Sequence, residues 1–120
     1  MKFFVTIILV LSICFSNTVK AQQDLHATAK NLMKEGDYEN ACLVLNKLLN
    51  TEPENIAAKK DYAFATFYKK DYKKSIDITK QLISDTTNDD QLYQLLAMNY
   101  KISANTKELE KTLSNGILKF

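Results

Sequence analysis

The sequence predicts an all-α fold, an α-solenoid of about three helix–turn–helix repeats, on three observations. From Gln22 onward apolar residues recur at intervals of three and four, the spacing of one face of a helix, and do not alternate as in a strand. Only two Gly and one Pro occur in 120 residues, so long helices meet few breakers. The third observation is a recurrence: "GDYENACL" at 36–43 returns as "KDYKKSID" at 70–77, 34 positions later.

The chain opens with "MKFFVTIILVLSICFSNTVKAQQ", in which Lys2 precedes an apolar run from Phe3 to Phe15 and a polar stretch ends in Val19-Lys20-Ala21. That order matches the charged, apolar and cleavage regions of a secretory signal peptide, with the cut expected between Ala21 and Gln22. The competing readings are an uncleaved membrane anchor, for which the run is short of the roughly 20 residues a span needs, and lipidation at Cys14, where Ile13 occupies a place that a small residue should hold. The 120 residues less these 21 leave 99, enough for one small domain.

In that domain, 22–120, the first helix carries Leu25, Ala29, Leu32 and Met33 on one face, and Gly36 suits the left-handed position that ends it. Asp37 caps the second helix, whose inward face is Ala41, Leu45, Leu48 and Leu49, and Pro53 stands just past its end. The third helix follows through Tyr62, Ala63, Thr66 and Phe67, and the fourth through Ile76, Leu82 and Ile83. "NDDQ" at 88–91 and "NTKE" at 105–108 put Asn three residues ahead of Gln or Glu, close to a capping box, and so open the fifth and sixth helices. Their inward residues are Leu92, Leu96, Ala97 and Tyr100, then Leu109, Leu113 and Ile117. The acidic pairs Asp89-Asp90 and Glu52/Glu54 are read as helix-start charges that favour the positive end of the dipole.

Laid over one another without a gap, 22–55, 56–89 and 90–120 match in the size of the residue at each packing position. Ala29 falls on Ala63, Asp37-Tyr38 on Asp71-Tyr72, Ala41 on Ser75 and Leu48 on Leu82. With these residues the sequence resembles the tetratricopeptide repeat, a 34-residue helix–turn–helix with a Gly-Asp-Tyr-like turn, then a small residue, a bulky one and a proline. Gly36, Asp37, Tyr38, Ala41, Leu45 and Pro53 carry the likeness in the first unit, where Leu25 and Thr28 depart from it. Lys70, Ser75 and Thr87 depart from it in the second, and "YQLLAMNY" gives the third its best helix. The resemblance implies a right-handed solenoid whose first helices line a concave groove for extended peptides or partner helices.

Composition excludes more than it selects. Both Lys2 and Lys20 leave with the signal, so 14 lysines face 14 acidic residues, arginine is absent, and no basic face for nucleic acid is expected. Cys42 is then the one remaining thiol, in the apolar stretch "ACLVLNKLL", and is expected to be a small buried hydrophobe. With His26 the only histidine and two isolated glycines, there is no catalytic constellation, no metal or cofactor site and no phosphate-cradling loop. The lysine doublets at 59–60, 69–70 and 73–74 interleave with acids and read as solvated helix surface.

The function expected is therefore that of a non-enzymatic interaction module, an exported, periplasmic or secreted adaptor or scaffold for a protein or peptide partner. By analogy with the family the groove residues are Lys30, Met33, Lys34, Lys60, Phe64, Tyr68, Gln94, Met98 and Lys101, with His26 and Phe67 beside them. Phe64 and Tyr68, one turn apart, are the expected anchor, and the lysines favour acidic residues around it. Some family members hold a C-terminal carboxylate with a Lys/Asn/Arg clamp; Asp61, Gln91 and Leu95 stand where it would continue, so that activity is not expected. The alternative is a self-assembling structural subunit. The third unit stops at Phe120, and Leu109, Leu113, Ile117 and Leu118 give its last helix an apolar side that needs a cover, from a second copy or from a longer ancestral array.

Overall fold

Three tight turns with one geometry set the architecture. Gly36, Lys70 and Ala104 have φ of +80°, +71° and +54°, and they stand 34 residues apart. At each, the left-handed residue donates its N–H to the carbonyl three residues back, Met33, Phe67 or Lys101. The following residue donates to the carbonyl five back, Leu32, Thr66 or Tyr100. This paired arrangement closes a helix by satisfying its last carbonyls. That same residue, Asp37, Asp71 or Asn105, also accepts the N–H of Asn40, Lys74 or Glu108 on its side chain and so opens the next helix.

The computed structural model describes residues 24–85 and 89–119, so the expected signal segment 1–21 lies outside the described residues. Among them are six helices and no strand: α1 (24–35), α2 (Tyr38–Thr51), α3 (Ile56–Tyr68), α4 (Tyr72–Asp85), α5 (Asp90–Ile102) and α6 (Thr106–Lys119). Each of α2 to α6 packs on its chain neighbours, and α3 also lies against α5. The first helices of successive hairpins thus form one layer and the second helices another, as in a solenoid.

One detail corrects the expected caps. Glu52 ends α2, donating its N–H to Leu48 O, and its carboxylate accepts from Asn55 Nδ2; Asn55 is the residue that caps α3. Asp89 caps α5, accepting from the N–H of Gln91; Asn88, the expected cap, lies outside the described residues.

The core has two parts. Ala29, Ala41, Cys42, Leu45, Leu48, Ala58, Tyr62 and Ala65 form the first, and Ala63, Phe67, Leu82, Leu92 and Leu95 the second, with Ile78 packed against both. Ala29, Ala63 and Ala97 are buried at equivalent positions, where a small side chain lets helices approach. The inward face of α4 is Ser75, Thr79 and Leu82, whereas Ile76 and Ile83 are only half-buried. Its hydroxyls are satisfied: Thr79 bonds Ser75 O, and Ser75 Oγ donates to Ala63 O while accepting from Asn99 Nδ2 at 2.9 Å. Buried Asn99 also donates to Leu95 O, so one polar chain ties α5 to α4 and α3.

Candidate functional site

The layer formed by α1, α3 and α5 presents four sets of equivalent residues, one from each repeat. The set His26, Lys60 and Gln94 contains two ion-paired members. His26 Nε2 lies 2.7 Å from Asp61 Oδ2, linking α1 to α3, and Lys60 Nζ lies 2.6 Å from Asp89 Oδ2, linking α3 to the start of α5. Lys60 is therefore a strut between repeats and not a free cation. Gln94, at the same position in the third repeat, is exposed.

The next set is Lys30, Phe64 and Met98. Lys30 is exposed, and Met98 is 37% exposed. Phe64, expected to pair with Tyr68 as the anchor, is half-buried and packs in part against the second core cluster. The reason is its neighbour across the layer: α3 is covered by α5 as well as α4, so a ring one turn before Tyr68 meets core. Met33, Phe67 and Lys101 form the third set. Met33 leans on the first cluster, Phe67 is buried, and Lys101 is exposed.

Lys34, Tyr68 and Ile102 form the last set. Lys34 is exposed, Tyr68 is 50% exposed and Ile102 52%. Tyr68 is held in place: its ring stacks on Tyr38 at 4.9 Å and 19°, and meets Phe67 edge-on at 5.3 Å and 79°. Such ring pairs add about 0.5–1.5 kcal/mol beyond area burial. An exposed aromatic with a fixed orientation can receive a partner at low entropic cost. Sequence reasoning missed Ile102 and the support from Tyr38, although 34 residues separate Ile102 from Tyr68 and the phase pointed to it.

The structure thus leaves Tyr68, Met98 and Ile102 exposed on the packed pair α3 and α5, with Lys101 on α5 and Lys30 and Lys34 on α1. The ion pairs among the described residues are His26–Asp61, Lys59–Glu54, Lys60–Asp89 and Lys69–Glu39, so Asp61 and Asp89 are occupied, whereas Lys30, Lys34 and Lys101 stand outside these pairs, as do the exposed Asp24, Glu35 and Asp90. Cys42 is buried, and burial pushes its thiol above the ordinary value, away from thiolate chemistry. Among the described residues no three His, Cys, Asp or Glu side chains stand together to hold a metal, and no helix is long and apolar enough to cross a membrane.

A family model described as tetratricopeptide repeat matches residues 32–98. Among solved structures the chain is similar to MamA, residues 41 to the end, from Desulfovibrio magneticus RS-1, at 19% identity and a TM-score of 0.76 over 82% of this chain and 55% of that one. A double mutant of MamA gives the same values. The Sgt2 TPR domain from Aspergillus fumigatus is similar at 15% identity and a TM-score of 0.73, over 82% of this chain and 66% of that one. At these identities the likeness is one of fold, and the chain spans about half the length of the MamA chain. No curated protein matches the sequence.

Proposed function

Because the chain belongs to the tetratricopeptide repeat family, we propose that it is a non-enzymatic interaction module, an exported adaptor that holds a partner segment against the layer of α1, α3 and α5. The observation that carries this reading is the exposure of Tyr68, Met98 and Ile102 on one packed helix pair, beside lysines that have no acidic partner. Isolated exposed apolar residues are ordinary, but an apolar set rimmed by charge marks an interaction surface. The partner is an extended peptide or a helix that offers an apolar anchor to Tyr68 and acidic residues to Lys30, Lys34 and Lys101. The order of Lys2, the apolar run and Ala21 supports export to a periplasmic or extracellular space, with 22–120 as the mature domain in repeats 22–55, 56–89 and 90–120.

Peptide selection on residues 22–120 tests the surface. Enriched peptides should combine a large apolar residue with Asp or Glu. Tyr68→Ala combined with Met98→Ala should abolish their binding with helical circular dichroism intact. Binding that survives the double substitution would place the surface elsewhere. N-terminal sequencing of the exported protein tests the leader, and a start at Gln22 is the outcome that agrees with it.

A second reading rests on α6. Leu113, which stands where Leu45 and Thr79 are buried in the earlier repeats, is 48% exposed. On that reading the chain assembles through this face, and light scattering would show a mass that rises with concentration and falls back with Leu113→Lys.

A further inference from the structure

The face of α5 turned away from Tyr68 and Met98 meets α4 and α6 around a cleft of about 260 Å³. Its walls are apolar: Ile83 from α4, and Tyr93, Leu96 and Tyr100 from α5. Tyr93 lies against α6: a side-chain carbon at Gly116 would meet its Cβ and ring at 3.5–3.7 Å, an ordinary contact distance. The charged groups on the cleft are Lys80 and Lys111 against the single carboxylate of Glu108.

The 34-residue register explains why space is left. In the preceding repeat Leu96, Glu108 and Thr112 correspond to Tyr62, Lys74 and Ile78. There Tyr62 is buried, the Lys74 ammonium lies 4.9 Å over its ring, and Ile78 packs on both core clusters. Tyrosine to leucine and isoleucine to threonine each remove volume at the equivalent place, and lysine to glutamate removes the cation that covered the ring. Two tyrosines, at the positions of Lys59 and Thr66, wall the space that results.

We propose that this cleft is a second binding site, separate from the α1, α3 and α5 layer, for a small apolar carboxylate: one aromatic ring or branched chain with an acid group next to it. The volume lies just under the roughly 300–1,000 Å³ of drug-sized ligand sites, so it suits a group of one ring. Apolar walls take the body of that group, and the lysine excess at the rim takes the acid. Asp77, whose charge is felt at Tyr100, stands outside the walls, and Glu108 lies in the first turn of α6, where the helix dipole offsets its charge. The same chemistry is offered by a free acid and by an acidic, aromatic stretch of peptide.

The test is titration of residues 22–120 with 3-phenylpropionate, followed by amide NMR shifts. Saturable shifts at Leu96, Tyr100 and Thr112 are expected, with a Kd on the order of millimolar for a ligand of about 11 heavy atoms. Lys80→Ala with Lys111→Ala, both at the surface, should weaken binding about fivefold or more. Leu96→Tyr with Thr112→Ile, the residues of the preceding repeat, should abolish it; if that variant does not fold, the lysine variant still decides. Equal binding of the neutral 3-phenylpropanamide, shifts confined to Tyr68, Met98 and Ile102, or an unchanged lysine variant would each overturn the proposal. Acetyl-Asp-Phe-amide binding more tightly than phenylpropionate would identify a peptide source, and weaker binding a free acid.

Discussion

Lys70 holds a left-handed backbone at φ +71°, at the position that glycine fills in the first hairpin, and replacing it with glycine should stabilise the protein. A side chain in that conformation costs about 1–2 kcal/mol because Cβ crowds the following carbonyl. Glycine relieves the crowding but widens the unfolded ensemble, which costs about 0.4–1 kcal/mol. The difference is a net gain of about 0.5–1 kcal/mol for Lys70→Gly. The Lys70 side chain is exposed, so little packing is lost. For a domain of about 100 residues this corresponds to a rise in Tm of about 2–8 °C. The reciprocal change is a control. Nothing lies within 4 Å of a Cβ built on Gly36, so Gly36→Lys should lose a similar amount through backbone strain alone. Thermal unfolding followed by circular dichroism measures both, and the double variant should return close to the parent because the sites sit in separate turns. A lower Tm for Lys70→Gly would refute the strain argument, and with it the view that the left-handed turn is the invariant of the repeat.

Phe67→Ala should destabilise by about 3–5 kcal/mol in denaturant unfolding, since its ring is buried in the second cluster and touches both Tyr68 and Tyr72. The Asn40 side chain and then its N–H hold the Asp37 carboxyl below its ordinary value. That contribution is complete above the unfolded pKa of about 3.9 and is lost as pH falls through the lowered folded value. Asp37→Asn keeps a capping oxygen but has no such proton linkage, so Tm measured from neutral pH to pH 2 should decline less steeply than in the parent. Deleting 107–120 should lower Tm and abolish hydrogen-exchange protection in 90–106, because α6 packs on α5 through buried Thr112 and through Gly116 against Tyr93.

The helices and the first two turns were legible because Gly36, Asp37, Tyr38 and their counterparts at 70–72 carry local chemistry. In the third turn only Asn105 of "NTKE" does so, since neither Ala104 nor Ser103 signals a left-handed residue, and only the 34-residue phase marks that position. Periodicity also misjudged α4, because it equates apolar with inside. Ser75 and Thr79 are buried instead, with hydroxyls that return to nearby carbonyls and so remove the penalty that would have kept them out. Leu95 and Asn99 were missed on α5 for a related reason: a helix covered by neighbours on several sides buries more than one stripe. On the interaction layer, residue types and register were readable, but exposure was not. Whether Lys60 is free depends on Asp89, and whether Tyr68 has a fixed orientation depends on Tyr38, partners 29 and 30 residues away.

The two interfaces between repeats show what the register leaves open. The left-handed turns and their caps repeat at every hairpin, so each hairpin has nearly the same internal shape whatever its side chains. The surfaces that stack are then free to diverge in kind. Between the first two repeats the buried contact is alanine, leucine and Tyr62, and the polar pairs His26–Asp61 and Lys69–Glu39 lie outside that core. Between the second and third, Asn99 must reach Ser75 Oγ and Leu95 O at once, and Ser75 must reach Ala63 O. Hydrogen bonds tolerate less displacement than apolar contact does, and a buried amide that loses its partners costs about 1–3 kcal/mol. The polar chain therefore acts as a stop that sets how α5 lies on α3 and α4. Met98 and Ile102 are exposed on α5, and Leu96 and Tyr100 on the same helix line the cleft, so the seat of α5 bears on both. A buried serine that looks like a flaw in the repeat pattern is in this way a determinant of both surfaces.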